Sequence, residues 1–267
     1  MLEKECKKTP RVNATAKALS ILGCFSPTLL EITLAQFSKM LDMPKSTLLN
    51  QLRTLEDAGM VMRTGNNAFR LGYKIMNLSY CAHNAISISQ YAIPVMEDLE
   101  VETGQNLYLT THVEGQVFYL ECVYPSRRLV SYSISGKLLP MHCTGCGKAM
   151  LSFMDKKQVE TIIDQHGLPQ ITPNTITKRD ELFKALSNYR AMGYAIDNEE
   201  ESMGVRCVAA AIRTSKGTVA GALSISGSVL SMRDEVLEQY AVLLSKACNT
   251  LVPYAHLFPY YQNYNQL

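Results

Sequence analysis

Long apolar stretches are absent from this chain of 267 residues. No segment approaches the roughly 18 uncharged apolar residues that a membrane-spanning helix needs. The first residues, MLEKECKKTPRVN, also lack the apolar run of a secretory signal peptide. We therefore expect a cytoplasmic protein without a membrane partner. Hydrophobic residues make up 47% and charged residues 19% of the chain, a composition that can bury a sizeable core in one large or two ordinary domains.

The eight cysteines lack the regular spacing of a disulfide framework. In a cytoplasmic chain of this length, we expect most of them to be buried thiols. Cys143 and Cys146 form one Cys-x-x-Cys pair, but no second such pair and no His pair completes a set of four zinc ligands. We therefore expect no cofactor, with zinc left open as an alternative.

Acidic residues are scarce in the first third of the chain. Residues 1–83 contain 11 Lys and Arg against 6 Asp and Glu, whereas residues 84–267 contain 15 against 18. A basic segment joined to an acidic remainder is typical of a nucleic-acid-binding arm attached to another domain. The charge alone also fits an ordinary solvated surface.

Three helical segments and a hairpin follow one another in the N-terminal part. Apolar residues recur at helical spacing over about 13–25, 33–41 and 44–58, with a short break at 42–44. Two short strands around a Gly/Asn turn at 64–67 then predict a hairpin. This order is that of a winged helix-turn-helix. A small helical bundle with a solvated polar face is the alternative.

The third helix carries polar side chains opposite its leucines, as a helix that enters the major groove requires. Lys, Ser and Thr near its start can bind phosphates, and Asn, Gln and Arg can pair with adenine or guanine edges. Side chains of the hairpin can reach the DNA backbone or the minor groove. The predicted DNA-binding residues are Lys45, Ser46, Thr47, Asn50, Gln51, Arg53, Arg63, Asn67 and Arg70.

From residue 105 onward the pattern changes to strands with inserted helices, which predicts an α+β domain. One of the expected strands lies at 129–134. We divide the chain into a disordered N-terminal arm (1–12), a winged helix-turn-helix domain (13–72), a linker helix (73–88), an α+β domain (89–252) and a C-terminal tail (253–267).

Small and hydroxyl-bearing residues mark the strand expected at 218–226. Strict alternation places Val219, Gly221, Leu223 and Ile225 on one face, and Ala220, Ala222, Ser224 and Ser226 on the other. The second face leaves space and hydrogen-bonding capacity for a ligand, or space for a closely packed helix. The glycine-rich segment 135–149 leads into a helix whose free N–H groups would attract an anion such as a carboxylate.

Three sequence blocks together resemble the IclR family of transcription regulators. They are DMPKSTLLNQLRTLEDAGMV, GKLLPMHCTGCGKAML and GYAIDNEEESMGVRCVAAAIRTSKGTVAGALSISG, and the resemblance covers about residues 13–250. It implies a winged helix-turn-helix, a linker helix and a GAF-like effector-binding domain. It also implies homodimers or dimers of dimers on palindromic operators in double-stranded DNA, and we expect a repressor rather than an activator.

Members of this family typically bind a small organic acid or an aromatic metabolite, so the resemblance implies a small-molecule effector. By position in the matching blocks, the effector site would comprise Gly145, Cys146, Asp197, Cys207, Ser224 and Ser226. Two departures matter: Asn50 stands where the family usually has Arg, and Cys146 where many members have Ala. Asp197 would repel a bare carboxylate, so we expect it to accept a hydrogen bond from a hydroxyl, an amide or water.

Other functions stay open at this point. Cys143, Cys146 and Cys207 would suit a metal- or thiol-responsive regulator. Cys207, His142 and Asp197 supply the residue types of a cysteine hydrolase, but nothing in their spacing shows that they meet, and we expect no enzyme. A C-terminal domain that only dimerises would need a filled apolar interior instead of the small polar face.

Overall fold

The computed structural model describes residues 12–126 and 134–259. The chain divides into two compact units, Met1–Ala85 and Ile86–Leu267. Residues 1–11, almost all of the strand expected at 129–134, and residues 260–267 lie outside the described parts. Within the described parts, no helix is long and apolar enough to cross a membrane.

The first unit combines helices with a small antiparallel sheet of strand order β1-β3-β2. Its elements are α1 (Asn13–Leu22), β1 (Ile32–Thr33), α2 (Leu34–Leu41), α3 (Lys45–Asp57), β2 (Val61–Arg63), β3 (Ala68–Leu71) and α4 (Tyr73–Asn84). The core lies between α1, α2, α3 and the sheet, around Ile21, Phe37 and Leu52. Three helices followed by a hairpin confirm the predicted winged helix-turn-helix.

Local sequence sets the joint between α2 and α3. Thr33 and Gln36 form a capping box that starts α2. Asp42 ends α2 in the left-handed conformation, with a φ of 49°. Pro44 then precedes α3, where no backbone N–H is needed. The sequence does not predict β1, since two residues carry no alternation, and α1 ends at Leu22, three residues before the expected end.

A six-stranded antiparallel sheet of order β6-β5-β4-β9-β8-β7 organises the second unit. Its elements are α5 (Ser89–Thr103), β4 (Asn106–Val113), β5 (Gln116–Val123), β6 (Leu138–Pro140), α6 (Gly145–Leu151), α7 (Lys156–His166), α8 (Arg179–Met192), β7 (Ala195–Asn198), β8 (Val205–Arg213), β9 (Val219–Ser228), α9 (Asp234–Leu251) and a 3-10 helix (Val252–Leu257). This architecture confirms the α+β class.

The sheet separates two apolar layers. One layer packs α5, α9 and the 3-10 helix on one face of the sheet. The other packs α6, α7 and α8 on the opposite face. Residues of β9 serve both layers, and only one residue of that strand, Ser228, is exposed. Because β9 is central and covered on both faces, its side chains must alternate between the two layers.

A bulge in β9 corrects the strict alternation expected for 219–226. Ile212 pairs with Gly221 and Arg213 with Val219, so Ala220 has no partner on β8. As a result, Val219 packs with α6–α8 and Ala220 with α5 and α9, the reverse of the expectation. The expected faces hold from Ala222 to Ser226.

The C-terminal segment packs on the second unit as far as residue 258. The ring of Tyr254 stacks on that of Tyr91, with centroids 3.8 Å apart. Phe258 is buried on Gly221, where an added Cβ would lie 2.3 Å from the phenyl ring. The first residues of the expected tail therefore complete the α5–α9 layer.

Candidate functional site

The polar face of α3 is exposed, as DNA binding requires. The three leucines of the helix are buried, whereas Lys45, Ser46, Asn50 and Arg53 are exposed. The side chains of Asn50 and Arg53 have no partner among the described residues, so their hydrogen-bonding groups are free for a base edge. Thr47 and Gln51 are half-buried at the flanks, and the predicted set is therefore not one continuous face.

The start of α3 is open to an anion. Pro44 offers no side-chain hydrogen bond to the first turn, and that turn contains no acidic residue. The start of α2 differs, because the Thr33 hydroxyl accepts a hydrogen bond from Gln36 N. Uncapped N–H groups at the positive end of the helix dipole favour a phosphate, and Lys45 adds a cation there.

The hairpin places its predicted DNA-binding residues on different faces. Arg63 pairs across the strands with Phe69, and its guanidinium lies 5.1 Å from the centre of that ring. Arg70 follows Phe69 in β3 and therefore points to the opposite face. Asn67 lies in the turn with a φ of 55°, and all three predicted residues are exposed. The two arginines therefore leave the hairpin on opposite sides.

A cavity of about 320 Å³ opens on the α6 side of the large sheet. It is lined by all six residues of the effector site that the sequence blocks imply, so the structure brings that set together. The lining residues used below are Asn106, Tyr108, Tyr119, Lys137, Gly145, Cys146, Asp197, Glu201, Cys207, Ser224 and Ser226. A cavity of this size matches the lower end of small-molecule sites.

The floor of the cavity is a polar row across four neighbouring strands. Asp197 on β7 pairs with Cys207 on β8, Cys207 with Ser226 on β9, and Ser226 with Asn106 on β4. Directly paired residues point to the same face of a sheet. The next row adds Ser224, which also lines the cavity. A ligand on this floor meets hydroxyl, amide, thiol and carboxyl groups in one plane.

Aromatic and charged residues that the sequence prediction missed complete the cavity. The rings of Tyr108 and Tyr119 meet edge to face at 5.5 Å and line it on the β4–β5 side. Lys137 and Glu201, also lining residues, form an ion pair of 3.8 Å, with side chains 46% and 28% exposed. In β4, the alternation of Asn106 and Tyr108 with buried leucines is a sequence signal for the side that faces the cavity. The order of the strands in the sheet cannot be predicted from sequence.

Helix α6 begins at the cavity and is buried along its whole length. Thr144 caps it by accepting a hydrogen bond from Gly147 N at 3.1 Å, and its hydroxyl contacts the Pro140 carbonyl at 3.1 Å. A Cβ at Gly145 would lie 3.0 Å from the Cys207 sulfur, on the cavity side. At Gly145 the helix therefore presents its backbone to a ligand.

We expect Gly147→Ala to destabilise the protein by about 3 kcal/mol, because the added Cβ overpacks a rigid site. That Cβ would lie 2.2 Å from the Met141 carbonyl oxygen, a backbone atom that cannot move away cheaply. Gly145→Ala should cost less, since it first meets the end of the Cys207 side chain. Urea unfolding of both variants measures the difference. Equal losses of unfolding free energy would contradict the conclusion that only Gly147 is packed against rigid backbone.

Asp197 is the buried acid of the floor. Its Oδ1 accepts a hydrogen bond from Glu200 N at 2.7 Å, and its Oδ2 accepts a weak one from the Cys207 thiol at 3.7 Å. Burial raises the pKa of Asp197 to about 6, although the backbone N–H groups of Glu200 and Glu201 and the charge of Lys148 oppose the increase. The group is thus ionised at neutral pH at a cost in stability.

We expect the free energy of unfolding of the Asp197→Asn variant to increase relative to that of the wild type as the pH rises. The raised pKa means that the folded protein holds a proton that the unfolded chain has lost, so the stability from this group is lost as pH rises from about 4 to 6. The asparagine variant lacks this loss, and its relative stability should be about 1 kcal/mol higher at pH 7.5 than at pH 5. Asp98→Asn, an exposed site, is the control in denaturant unfolding, and no difference between the two pH values would contradict the burial effect.

The thiols of the cavity are poorly suited to metal or redox chemistry. Burial raises the pKa of Cys146, and it raises that of Cys207 well above its ordinary value, with the nearby Asp197 adding to the effect. Cys143 does not line the cavity, because its thiol contacts the Pro140 carbonyl at 3.8 Å. Among the residues that the structure describes, no group of three or more His, Cys, Asp and Glu can hold a metal ion.

The residue types of a cysteine hydrolase are only partly brought together. Cys207 and Asp197 are cross-strand neighbours. His142 is not among the lining residues, and its Nε2 lies 3.0 Å from the Pro169 carbonyl oxygen. A general base must reach the nucleophile that it activates, and this histidine is engaged elsewhere.

Comparisons with known proteins agree with this geometry. The family model for the C-terminal domain of the bacterial transcriptional regulator IclR matches residues 81–252, and the model for the IclR helix-turn-helix domain matches residues 14–65. The first match covers more than half of the chain. The helix-turn-helix match lies within the first structural unit, and the C-terminal match begins in α4 and covers most of the second unit.

Similar proteins and structures extend over most of the chain. The HTH-type transcriptional regulator XynR of Escherichia coli K12 is 30% identical over 246 residues, which cover 89% of this chain and 98% of XynR. The repressor AllR of the same strain is 30% identical over 199 residues, with coverages of 73% and 72%. The crystal structure of Thermotoga maritima IclR has a TM-score of 0.69 at 25% identity, with coverages of 92% and 99%. The chain belongs to the IclR family of bacterial DNA-binding transcriptional regulators.

Proposed function

We propose that this regulator is a repressor whose affinity for its operator is controlled by a small organic acid bound in the 320 Å³ cavity. The observation that carries the proposal is the polar floor formed by Asp197, Cys207, Ser226 and Asn106 beside the start of α6. A domain that only dimerises has no use for a buried polar hollow, because unsatisfied polar surface is costly. The name of the similar protein AllR supports the repressor role.

On DNA, α3 lies in the major groove, and the start of the helix binds a phosphate. Lys45 and Ser46 contact the backbone, and Asn50 and Arg53 read base edges. Thr47 and Gln51 contribute from the flanks, and Asn67 with either Arg63 or Arg70 contacts the backbone beside the groove. A homodimer, or a dimer of dimers, places two such helices on the half-sites of a palindromic operator.

The ligand is an acid that also carries a hydroxyl or an aromatic ring. Its hydroxyl donates to Asp197, its ring or chain lies against Tyr108, and Ser224 and Ser226 bind its polar edge. The carboxylate binds at the backbone of Gly145 and Cys146 or at Lys137, away from the Asp197 charge. The second unit binds this ligand without converting it, since no histidine is among the described residues that line the cavity to act as the general base for Cys207.

Ligand binding changes the spacing of the two DNA-binding units in the dimer. A ligand shifts such an equilibrium only as far as it prefers one arrangement over the other. For a coupling of 1–3 kcal/mol, operator affinity changes about 5- to 150-fold. Because the regulator is proposed to be a repressor, the bound acid is expected to lower its affinity for the operator and so release the DNA.

A thermal-shift screen of the whole chain against organic, sugar and aromatic acids, with a chelator control, tests the proposal. A ligand at 100 times its dissociation constant stabilises the fold by about 2.7 kcal/mol. A stabilising acid that is not turned over supports the proposal. Destabilisation by the chelator without any hit would favour a metal-responsive regulator, and no response to either would favour a C-terminal unit that only dimerises.

A further inference from the structure

A fully buried lysine lies beside the cavity, on α6. The Lys148 side chain, on α6, is 0% exposed and forms an ion pair with Glu200, whose side chain is 6% exposed. Its ammonium also lies 5.4 Å from the centre of the Tyr189 ring. Neither Lys148 nor Glu200 is among the residues that line the cavity. A buried ion pair seldom adds stability over apolar residues of the same size, so its presence calls for another role.

Glu200 connects this ion pair to the floor. Its main-chain N–H donates to Asp197 Oδ1 at 2.7 Å, while its side chain accepts from Lys148 and, at 3.5 Å, from Asn198 N. The same residue therefore binds α6 through its carboxylate and the floor through its backbone. Its other carboxylate oxygen, Oε2, is buried and has no hydrogen-bond partner among the described residues. Because Oε2 has no partner, the Lys148 ammonium is the main group that compensates the buried negative charge of Glu200.

The loop before α8 contacts the opposite side of the turn that follows β7 and contains Glu199 and Glu200. The hydroxyl of Thr175 donates to the Glu200 carbonyl at 2.7 Å, and that of Thr172 donates to the Glu199 carbonyl at 2.7 Å. With Lys148 on one side and two threonines on the other, the turn after β7 is fixed at both ends. Asp197 Oδ1 is then committed to this turn, and Oδ2 faces Cys207 in the cavity.

We propose that Lys148 is a positioning residue for the effector site, acting through Glu200 to hold Asp197 with Oδ2 facing the cavity. The usefulness of this role for ligand binding rests on the proposed function. The contacts that define it are present without a ligand. It gives α6 a rigid link to the one acid of the floor. The ion pair acts on position and charge rather than on net stability.

Lys148 and Glu200 have opposite effects on the pKa of Asp197, and a loss of packing alone would not produce opposite effects. Lys148 lowers the pKa of Asp197 and Glu200 raises it, beneath the larger effect of burial. The remaining titratable groups that face it come from the turn after β7, from β8 and from the start of α6. They are Glu201, Cys207, Cys143 and Cys146.

The test compares Lys148→Gln and Glu200→Gln, each with and without Asp197→Asn, in full-length protein. The midpoint of the Asp197-dependent change of melting temperature with pH should move up in Lys148→Gln and down in Glu200→Gln, each by at least about 0.5 pH unit. Midpoints that stay at the wild-type value in both variants would overturn the proposal. A lost packing contact alone gives no opposite shifts.

A double substitution covers the case in which the single variants do not fold. Lys148→Met/Glu200→Leu replaces the pair by apolar side chains and should keep the melting temperature near that of the wild type. Exchange of the main-chain amide hydrogen at position 200, relative to its intrinsic rate, should still become at least about tenfold faster, since its acceptor Asp197 is no longer held. Unchanged exchange overturns the proposal. The matched control is Lys156→Met/Glu160→Leu, which removes an exposed ion pair on α7 and should leave that amide unaffected.

These readouts contain no ligand, so they separate two failures. If the pH midpoints shift as expected but no acid binds the protein, the positioning role stands and the proposed function is wrong. If an acid binds and the midpoints do not move, the effector site stands and Lys148 has no part in positioning it.

Discussion

Ser224→Leu is expected to abolish the response to the effector and to leave operator binding within about threefold of the wild type. Ser224 is 2% exposed, lines the cavity and pairs with Tyr108 on β4 and Ala209 on β8. A leucine there projects into the cavity and fills the space of a small ligand. The DNA-binding residues belong to the other unit, so their own geometry is untouched. Thermal shift with the screened acid and fluorescence anisotropy with operator DNA measure the two effects.

The control for this prediction is Ser215→Leu. Ser215 lies in the exposed turn between β8 and β9. Its replacement by leucine adds the same side-chain volume as Ser224→Leu, but outside the cavity. It should keep both the ligand response and DNA binding. A Ser224→Leu protein that melts normally and still responds fully to the acid would show that the ligand binds elsewhere.

Arg53→Ala is expected to weaken binding to the operator about 5- to 150-fold, which is the loss of one base contact of about 1–3 kcal/mol. Arg53 is exposed on α3 and has no partner within the described protein. Its guanidinium is therefore free to form a bidentate pair with guanine. Binding to random-sequence DNA should fall much less, because base contacts specify and phosphate contacts do not.

Lys45→Ala is the matched comparison. A phosphate contact at the start of α3 should weaken operator and random DNA alike and should reduce the slope of log K against log salt by about 1. Anisotropy titrations at several salt concentrations separate the two variants. Equal losses on both DNAs for Arg53→Ala would exclude a base-reading role for that residue.

The first unit is predictable from sequence because its signals are local. The leucines of α3, the Asp42–Pro44 break and the Gly/Asn turn of the hairpin each determine one element within a few residues. What the sequence cannot predict is that Arg63 and Arg70 point to opposite faces, since this depends on the register of β2 against β3.

The cavity is predictable only in part, and the reason is also physical. Small residues in β9 indicate a face with free space, but the bulge at Ala220 reverses two positions, and bulges leave no local mark. The polar row from Asp197 to Asn106 joins four strands that are distant in sequence. Lys148 is hidden for another reason: α6 is buried all round, so no polar stripe distinguishes its faces.

The central claim is that an acid in this cavity controls the affinity for DNA. The measurement that tests it most directly is the dissociation constant for operator DNA, selected from random fragments, with and without a saturating concentration of the acid from the screen. We expect the acid to weaken operator binding at least about fivefold in the wild type and not at all in Ser224→Leu. An acid that binds the wild-type cavity yet leaves the dissociation constant for DNA unchanged would contradict the account.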